Sequence, residues 1–377
     1  MPIYMDIHDT TGATAADIAA AHQMDLALQD DFNCKFVYFW HDIPNCTGFC
    51  VFEAPDKESV INLHNKTHNT ILPNQIIEVE LNEVEFFLGK IADIAWSNRN
   101  SPFDGYINET THRTIMFLEI TNPILFQPKI NKSKFSDLIK LQEKIIKDSF
   151  LKFESNVVSW DNDSILASFL SEENAINCAA WIQKKITNLS EDENKFSVSI
   201  GLNFGAPVTN SNVLFGDVIN LAKKLGYIAG ENQIIISSSL GKVYNALRFK
   251  TDLKNSQIKV LNSQYENFLT NLLETFEQRW NEEEFNIDHL VKQLGISKSQ
   301  LYRNITFLTG CSPNEFLREY RLKQALKSIE KMKGNISEIA FESGFNNPSY
   351  FSKCFQKKFG ILPSEYANLF YNYKVQS

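Results

Sequence analysis

No stretch of this chain approaches the roughly 18 uncharged apolar residues that a membrane-spanning helix needs, so an integral helical membrane protein is excluded. Its six cysteines (34, 46, 50, 178, 311 and 354) contain no CxxC pair. That spacing argues against a disulfide scaffold or a four-thiolate zinc site, and reduced thiols are expected. Base is missing where a secretion signal would carry it: Met1-Pro-Ile-Tyr-Met-Asp-Ile-His8 is acidic and no long apolar run follows, so a cytoplasmic location is expected. What the chain does have is core material. With 377 residues, 43% hydrophobic and 29 Phe, it suits two or three globular domains and not a disordered chain.

A net charge of −8 hides an asymmetry. Residues 1–90 hold 14 Asp and Glu against 4 Lys and Arg, a balance of −10, whereas residues 285–377 hold 7 against 13, a balance of +6. The two ends therefore serve different partners, and only the basic end suits nucleic acid.

Strand and helix periods over 3–8, 14–32, 35–42, 48–54, 56–68 and 76–81 read β-α-β-β-α-β, the ferredoxin-like order, for a domain over 1–90. The polar, aperiodic stretch 97–112 is the first linker candidate. A second α+β domain spans 112–245, with strands at 115–120, 154–159, 164–169, 196–204 and 233–237 and helices at 133–149, 172–189 and 216–228. Beyond about residue 262 the pattern is all helical, opening with the stripe Tyr265, Phe268, Leu272 and Phe276. The expected fold is thus α+β multidomain with an all-α C-terminal part.

Within that part, Ile287-Asp-His-Leu-Val-Lys-Gln-Leu-Gly-Ile-Ser-Lys-Ser-Gln-Leu-Tyr-Arg303 reads as helix, Gly295 turn, Ser297 cap and second helix. Leu301, Ile305 and Leu308 face inward there, leaving Ser299, Gln300 and Arg303 outward. The same grammar recurs at Ile336-Ser-Glu-Ile-Ala-Phe-Glu-Ser-Gly-Phe345, a turn at Asn346-Asn347-Pro348, and a helix with Phe351 and Phe355 inward and Ser349, Lys353 and Lys357 outward. A solvated basic bundle is the plain alternative. Over about 266–372, including Gly360-Ile-Leu-Pro-Ser-Glu-Tyr366, the pattern resembles the DNA-binding domain of the AraC/XylS family of transcription regulators. The resemblance implies two helix-turn-helix units, joined by a long helix over about 313–331, that enter successive major grooves of double-stranded DNA. Ser299, Gln300, Arg303, Asn347, Ser349, Lys353 and Lys357 are the expected contact residues.

The middle domain carries Thr114-Ile-Met-Phe-Leu-Glu-Ile-Thr121, Asn162-Asp-Ser-Ile-Leu-Ala-Ser-Phe169, Phe215-Gly-Asp-Val-Ile-Asn-Leu-Ala-Lys-Lys-Leu225 and Glu231-Asn-Gln-Ile-Ile-Ile-Ser237. These blocks resemble class III nucleotide cyclases. The resemblance implies two metal-binding carboxylates, here Glu119 and Asp163, and a transition-state Asn, here Asn220. Departures are several: Asn162 and Ser164 replace hairpin glycines, Thr121-Asn122-Pro123 replaces a glycine near the phosphates, Val213 stands at the base-selecting position, and Lys224 replaces a planar Arg. A degenerate domain for dimerisation or sensing is expected, and the chain is expected not to be an enzyme; an active cyclase regulated by its flanking domains is the alternative. Without the family, Glu119 and Asp163 read as solvated acids at strand ends.

Five of the seven histidines lie in the first domain: His8, His22, His41, His64 and His68. His64 and His68, four apart on a helix, can reach one ion. Together with Tyr4-Met-Asp-Ile-His8, Ala21-His-Gln-Met-Asp-Leu-Ala27 and Phe49-Cys-Val-Phe-Glu-Ala-Pro55, residues 1–85 resemble small bacterial ferredoxin-like nickel-binding proteins. The resemblance implies His8, His22, Glu53, His64 and His68 as ligands for nickel, zinc or copper. Hydrogen-bonded core histidines fit the same positions. Strand alternation puts Ile3, Met5 and Ile7 on the apolar face, so His8 and Asp6 are expected on the other face, away from the helices bearing His22 and His64. His41, beside Asp42, reads as surface. The sequence thus describes a homodimeric DNA-binding regulator answering to a metal or small-molecule effector, with no membrane partner.

Overall fold

In the computed structural model the described residues are 1–67, 72–88, 106–107, 110–120, 132–161, 163–189, 196–248 and 256–376. The first sheet is built from β1 (Ile3–Asp9), β2 (Lys35–Asp42), β3 (Thr47–Glu53) and β4 (Pro73–Val79), with α1 (Ala15–Leu28) and α2 (Lys57–Thr67) between them. Its order β4-β1-β3-β2, antiparallel throughout, is the expected ferredoxin-like one. Thr14 starts α1 as a capping box: its Oγ1 accepts from Asp17 N at 3.2 Å and Asp17 Oδ2 accepts from Thr14 N at 2.8 Å.

Both faces of this sheet are buried. Tyr4, Phe39, Phe52 and Ile76 pack under the helices with Ile18 and Leu63. Met5, Trp40, Phe49 and Val51 pack on the opposite side against α3 (Leu81–Leu88) and against Ile115, Leu166 and Phe215 of the middle domain. The side expected to face away from the helices is therefore the helix side. Ile3, Met5 and Ile7 are apolar because a second domain, invisible to strand alternation, covers them.

Part of the expected linker joins the sheet. β5 (Tyr106–Ile107) pairs in parallel with the open edge of β2 at Phe39 and Trp40. Nearby, fully buried Asp42 accepts from Thr110 Oγ1 and Thr111 N, each at 2.9 Å, and from Asn45 Nδ2 at 2.9 Å; it also lies 2.9 Å from His112 Nδ1. Burial pushes the Asp42 carboxyl up, but His112, Asn45 and the threonines outweigh it and hold the group well below the usual range. His41 is likewise buried and not on the surface, and burial pushes its imidazole down.

The middle sheet has order β11-β10-β9-β6-β8-β7. Its strands are β6 (Arg113–Ile120), β7 (Ser155–Trp160), β8 (Ser164–Phe169), β9 (Val198–Gly205), β10 (Gln233–Ile236) and β11 (Ile258–Val260). Met116, Leu118 and Ile120 of β6 face α4 (Lys132–Lys152) and α5 (Glu172–Leu189), while Ile115 turns toward the first domain. α6 (Gly216–Ile228) lies so close on β9 that a Cβ on Gly201 would collide with the Ala222 carbonyl and Gly226 N. Only glycine permits that approach. α7 (Gly241–Leu247) completes the domain.

The C-terminal helices are α8 (Ser263–Arg279), α9 (Ile287–Leu294), α10 (Lys298–Thr309), α11 (Pro313–Glu330), α12 (Ile336–Glu342), α13 (Pro348–Phe359) and α14 (Pro363–Gln376). Leu269, Leu272 and Phe276 of α8 share one core with Leu225 and Ile228 of α6, so the first helix-turn-helix unit is packed onto the middle domain. The second has a core of its own around Phe351, Phe355 and Tyr366.

Candidate DNA-reading helices, metal pocket and interdomain cavity

Two short helices end in left-handed or irregular turns and hand the chain to capped second helices. Gly295, with φ +64°, closes α9, and Ser297 Oγ accepts from Gln300 N at 3.1 Å to begin α10. Gly344, with φ +73°, follows α12, and Asn347 Oδ1 accepts from Ser349 N at 2.9 Å and Tyr350 N at 3.0 Å to begin α13. Superposing the two caps aligns Ser299 with Ser349, Gln300 with Tyr350, buried Leu301 with buried Phe351, and Arg303 with Lys353. Ser299, Arg303, Ser349 and Lys353 are all exposed, and Gln300 is half-buried.

Three adjustments to the expected set follow. Asn347 has its carboxamide oxygen committed to the cap. Lys357 stands at the far end of α13, at the mouth of a cavity toward the middle domain. Tyr350, outside the expected set, is 50% exposed at the position matching Gln300, an equivalence that aligning the two caps in the sequence makes visible. Arg321 on α11 ties the linking helix to the loop before α9 by donating to Trp280 O at 2.8 Å and Glu282 O at 2.7 Å.

In the first domain, β1 presents Asp6 and His8, β3 presents Cys50 and α2 presents His64, all buried. Asp6 Oδ2 lies 2.7 Å from His64 Nε2 and Asp6 Oδ1 lies 3.1 Å from His8 Nε2; Cys50 Sγ is 3.6 Å from His8 Nε2. One donor atom from each of the four falls within 4.8 Å of the others. Burial pushes Asp6 up, yet His8 and His64 together outweigh it and hold its carboxyl well below the ordinary range. Burial first, and Asp6 second, push the Cys50 thiol well up. Beside the cluster is a hole of about 20 Å³, lined by His8, Cys50, His22 and Asp25 among others, which is room for one small ion or water. Two imidazoles, a carboxylate and a thiol suit a first-row divalent ion, provided that the ion displaces the protons the cluster now shares.

Sequence reasoning placed His8 and His64 in the set and missed Asp6 and Cys50. His22 lies at the rim, stacked on Phe39 at 5.0 Å. Glu53 is elsewhere: half-buried at the strand end, it faces the Met1 amino group at 3.5 Å and Lys35 at 3.6 Å. His68 lies outside the described residues.

Glu119 and Asp163 do share a cavity, of about 720 Å³, between the middle and C-terminal domains. They are not simply solvated: Glu119 Oε2 accepts from Lys323 Nζ of α11 at 3.0 Å, and burial, then Glu119, push the Asp163 carboxyl up. Asn220 and Lys224 line no part of it. Asn220 is exposed on α6, and Lys224 is held by Glu274 of α8 at 2.8 Å. Asn162 is outside the described residues, as is the stretch 121–123.

Comparison with known proteins follows the same division. A helix-turn-helix domain family matches residues 290–368, and a family described as nickel responsive protein SCO4226-like matches residues 4–79. Histidine kinase P4 of Formosa agariphila is 38% identical over 130 residues, 33% of this chain and 9% of that protein. The probable transcription factor PqrA of Proteus vulgaris is 31% identical over 102 residues, 27% of this chain and 84% of that protein. Among solved structures, an adenylate/guanylate cyclase/hydrolase from Silicibacter pomeroyi is similar over 36% of this chain and 81% of its own, at 22% identity and a TM-score of 0.31. With most of PqrA covered at that identity, and with the paired, capped helices in place, the chain belongs to the AraC-type helix-turn-helix family of transcription regulators.

Proposed function

We propose that the protein is a cytoplasmic, homodimeric, sequence-specific DNA-binding transcription regulator. The observation that carries this reading is the repeat of one surface on α10 and α13: a serine two residues after the cap and a cation six after it, both exposed. Such side chains near a helix N-terminus reach base edges in the major groove, while the flanking lysines neutralise phosphate. The test is selection of sequences from random duplex by the intact chain, followed by anisotropy titration at about 0.1 M salt. A preferred bipartite sequence is expected. Equal affinity for selected and random duplex, with and without metal, would sink the reading.

The first domain, on this reading, binds a divalent nickel, zinc or copper ion through Asp6, His8, Cys50 and His64. Support comes from the converging donors and from the match to a nickel-responsive family.

The middle domain, on the same reading, does not cyclise nucleotides. Lys323 already neutralises Glu119, so a metal ion would have to break an ion pair to use it, and Lys224 is itself paired with Glu274. Incubation with ATP or GTP and Mn²⁺ should give no cyclic product above background. Product that disappears in Asp163→Ala would favour the cyclase alternative.

A further inference from the structure

We propose that the cavity between the middle domain and the DNA-binding helices is an effector site for a small hydroxylated organic phosphate, of sugar-phosphate or nucleotide size. Its volume of about 720 Å³ is that of a small-molecule pocket. The two walls differ in chemistry. From the C-terminal domain come four lysines: Lys323 and Lys327 one turn apart on α11, and Lys357 and Lys358 at the end of α13. Lys323 is spent on Glu119 and Lys358 on Glu319, at 3.0 and 2.8 Å. Lys327 and Lys357 are exposed and in no salt bridge among the described residues, although Lys327 acts through space on Asp163. Two such ammonium groups suit a phosphate, which accepts from both.

The opposite wall, from the middle domain, offers acceptors and hydroxyls: Asp163, Glu231, Ser197 and Ser199. Asp163 and Glu119 repel one another there, and burial has already raised Asp163, so hydroxyl donors are a better complement to this wall than a second anion. Tyr227, Phe316 and Phe359 supply apolar surface for the body of the ligand. Lysines donated by the DNA-binding domain, not a pair of metal ions, are the anion-recognising groups.

Position gives the site its consequence. Thr309 and Gly310 close α10, Lys357 and Gly360 close α13, and α11 runs between them; all three border the cavity. A ligand therefore touches the C-terminal ends of both reading helices while their N-terminal ends stay open to DNA. Filling the cavity changes the relative setting of the two units, and by linkage DNA must change the ligand's affinity by the same factor.

Calorimetry on the full chain tests the proposal without DNA. The probes are glucose 6-phosphate and AMP, with glucose, adenosine and inorganic phosphate as their parts. At least one organic phosphate should bind with a Kd of about 1 mM or tighter and its dephosphorylated part should not. Lys327→Ala/Lys357→Ala should weaken that binding by about tenfold or more with an unchanged Tm, and Lys327→Arg/Lys357→Arg should retain most of it. Which probe binds separates a sugar phosphate from a nucleotide. Anisotropy with the selected duplex should then show DNA affinity moving at least about threefold on adding the bound probe. Failure of both organic phosphates to bind, equal binding by the double alanine variant, or binding that leaves DNA affinity unmoved would overturn the proposal, and none of these touches the DNA-binding reading itself.

Discussion

At the scale of single residues, the candidate metal pocket shows what a strand can hide. Asp6 and His8 point toward Cys50 and His64, so the donors come from two strands and a helix and meet only in the folded domain. His64→Ala and Cys50→Ser should each weaken binding of the tightest-bound divalent ion by about tenfold or more, the usual scale for losing a ligand or its immediate support, whereas Glu53→Gln should leave it unchanged. Calorimetry on the folded chain decides; no ion bound more tightly than about 10 µM by the parent would remove the site altogether. His8 and His64 were legible because histidine is rare and both sit in motifs. Asp6 and Cys50 were not, because alternation marks Ile3, Met5 and Ile7 as the apolar face, and that face is covered by a domain some hundred residues away while the helices cover the face that carries Asp6 and Cys50. Glu53 looked equivalent in sequence, but its odd-numbered place in β3 puts it on the rim with Lys35.

Among elements, the two proposed reading helices were the most legible, since each is written locally by a cap, an inward apolar pair and a glycine stop. Short elements that depend on neighbours, α3, β5, α7 and β11, left no comparable signal. The cap alignment makes a paired prediction about α10 and α13. Arg303→Ala and Lys353→Ala occupy equivalent positions, so each should cost about 1–3 kcal/mol on the preferred duplex and relax base choice in one half of the site only. Lys357→Ala, one turn beyond Lys353 and bordering the cavity, should weaken selected and random duplex alike, by less than Arg303→Ala does and with base choice unchanged. Selection repeated with each variant reads the outcome directly. Loss of preference in both halves from either single substitution, or a Lys357 effect as large as that of Arg303, would mean that the helices do not dock as an equivalent pair.

For the whole molecule, the couplings that make three domains one body were not legible at all. Lys323 and Glu119 meet across 204 positions and Asp42 and His112 across 70, and no local pattern encodes a partner so distant. Asp42 is the clearest test of that coupling because one carboxylate holds the start of the middle domain onto the end of β2. Removing a buried charge whose donors then lose their acceptor costs about 3 kcal/mol or more, so Asp42→Leu should lower stability toward urea by that order at pH 7. The pH dependence has a definite sign. The folded carboxyl is held below its ordinary value of 3.8, so its contribution is complete above about pH 4 and is lost as pH falls through the lowered folded value. Parent and variant should therefore differ most at neutral pH and converge in acid, with the parent showing the steeper loss. Parallel stability curves between about pH 2 and 5 would show that Asp42 is as free in the folded protein as in the unfolded chain, and that something else joins the first two domains.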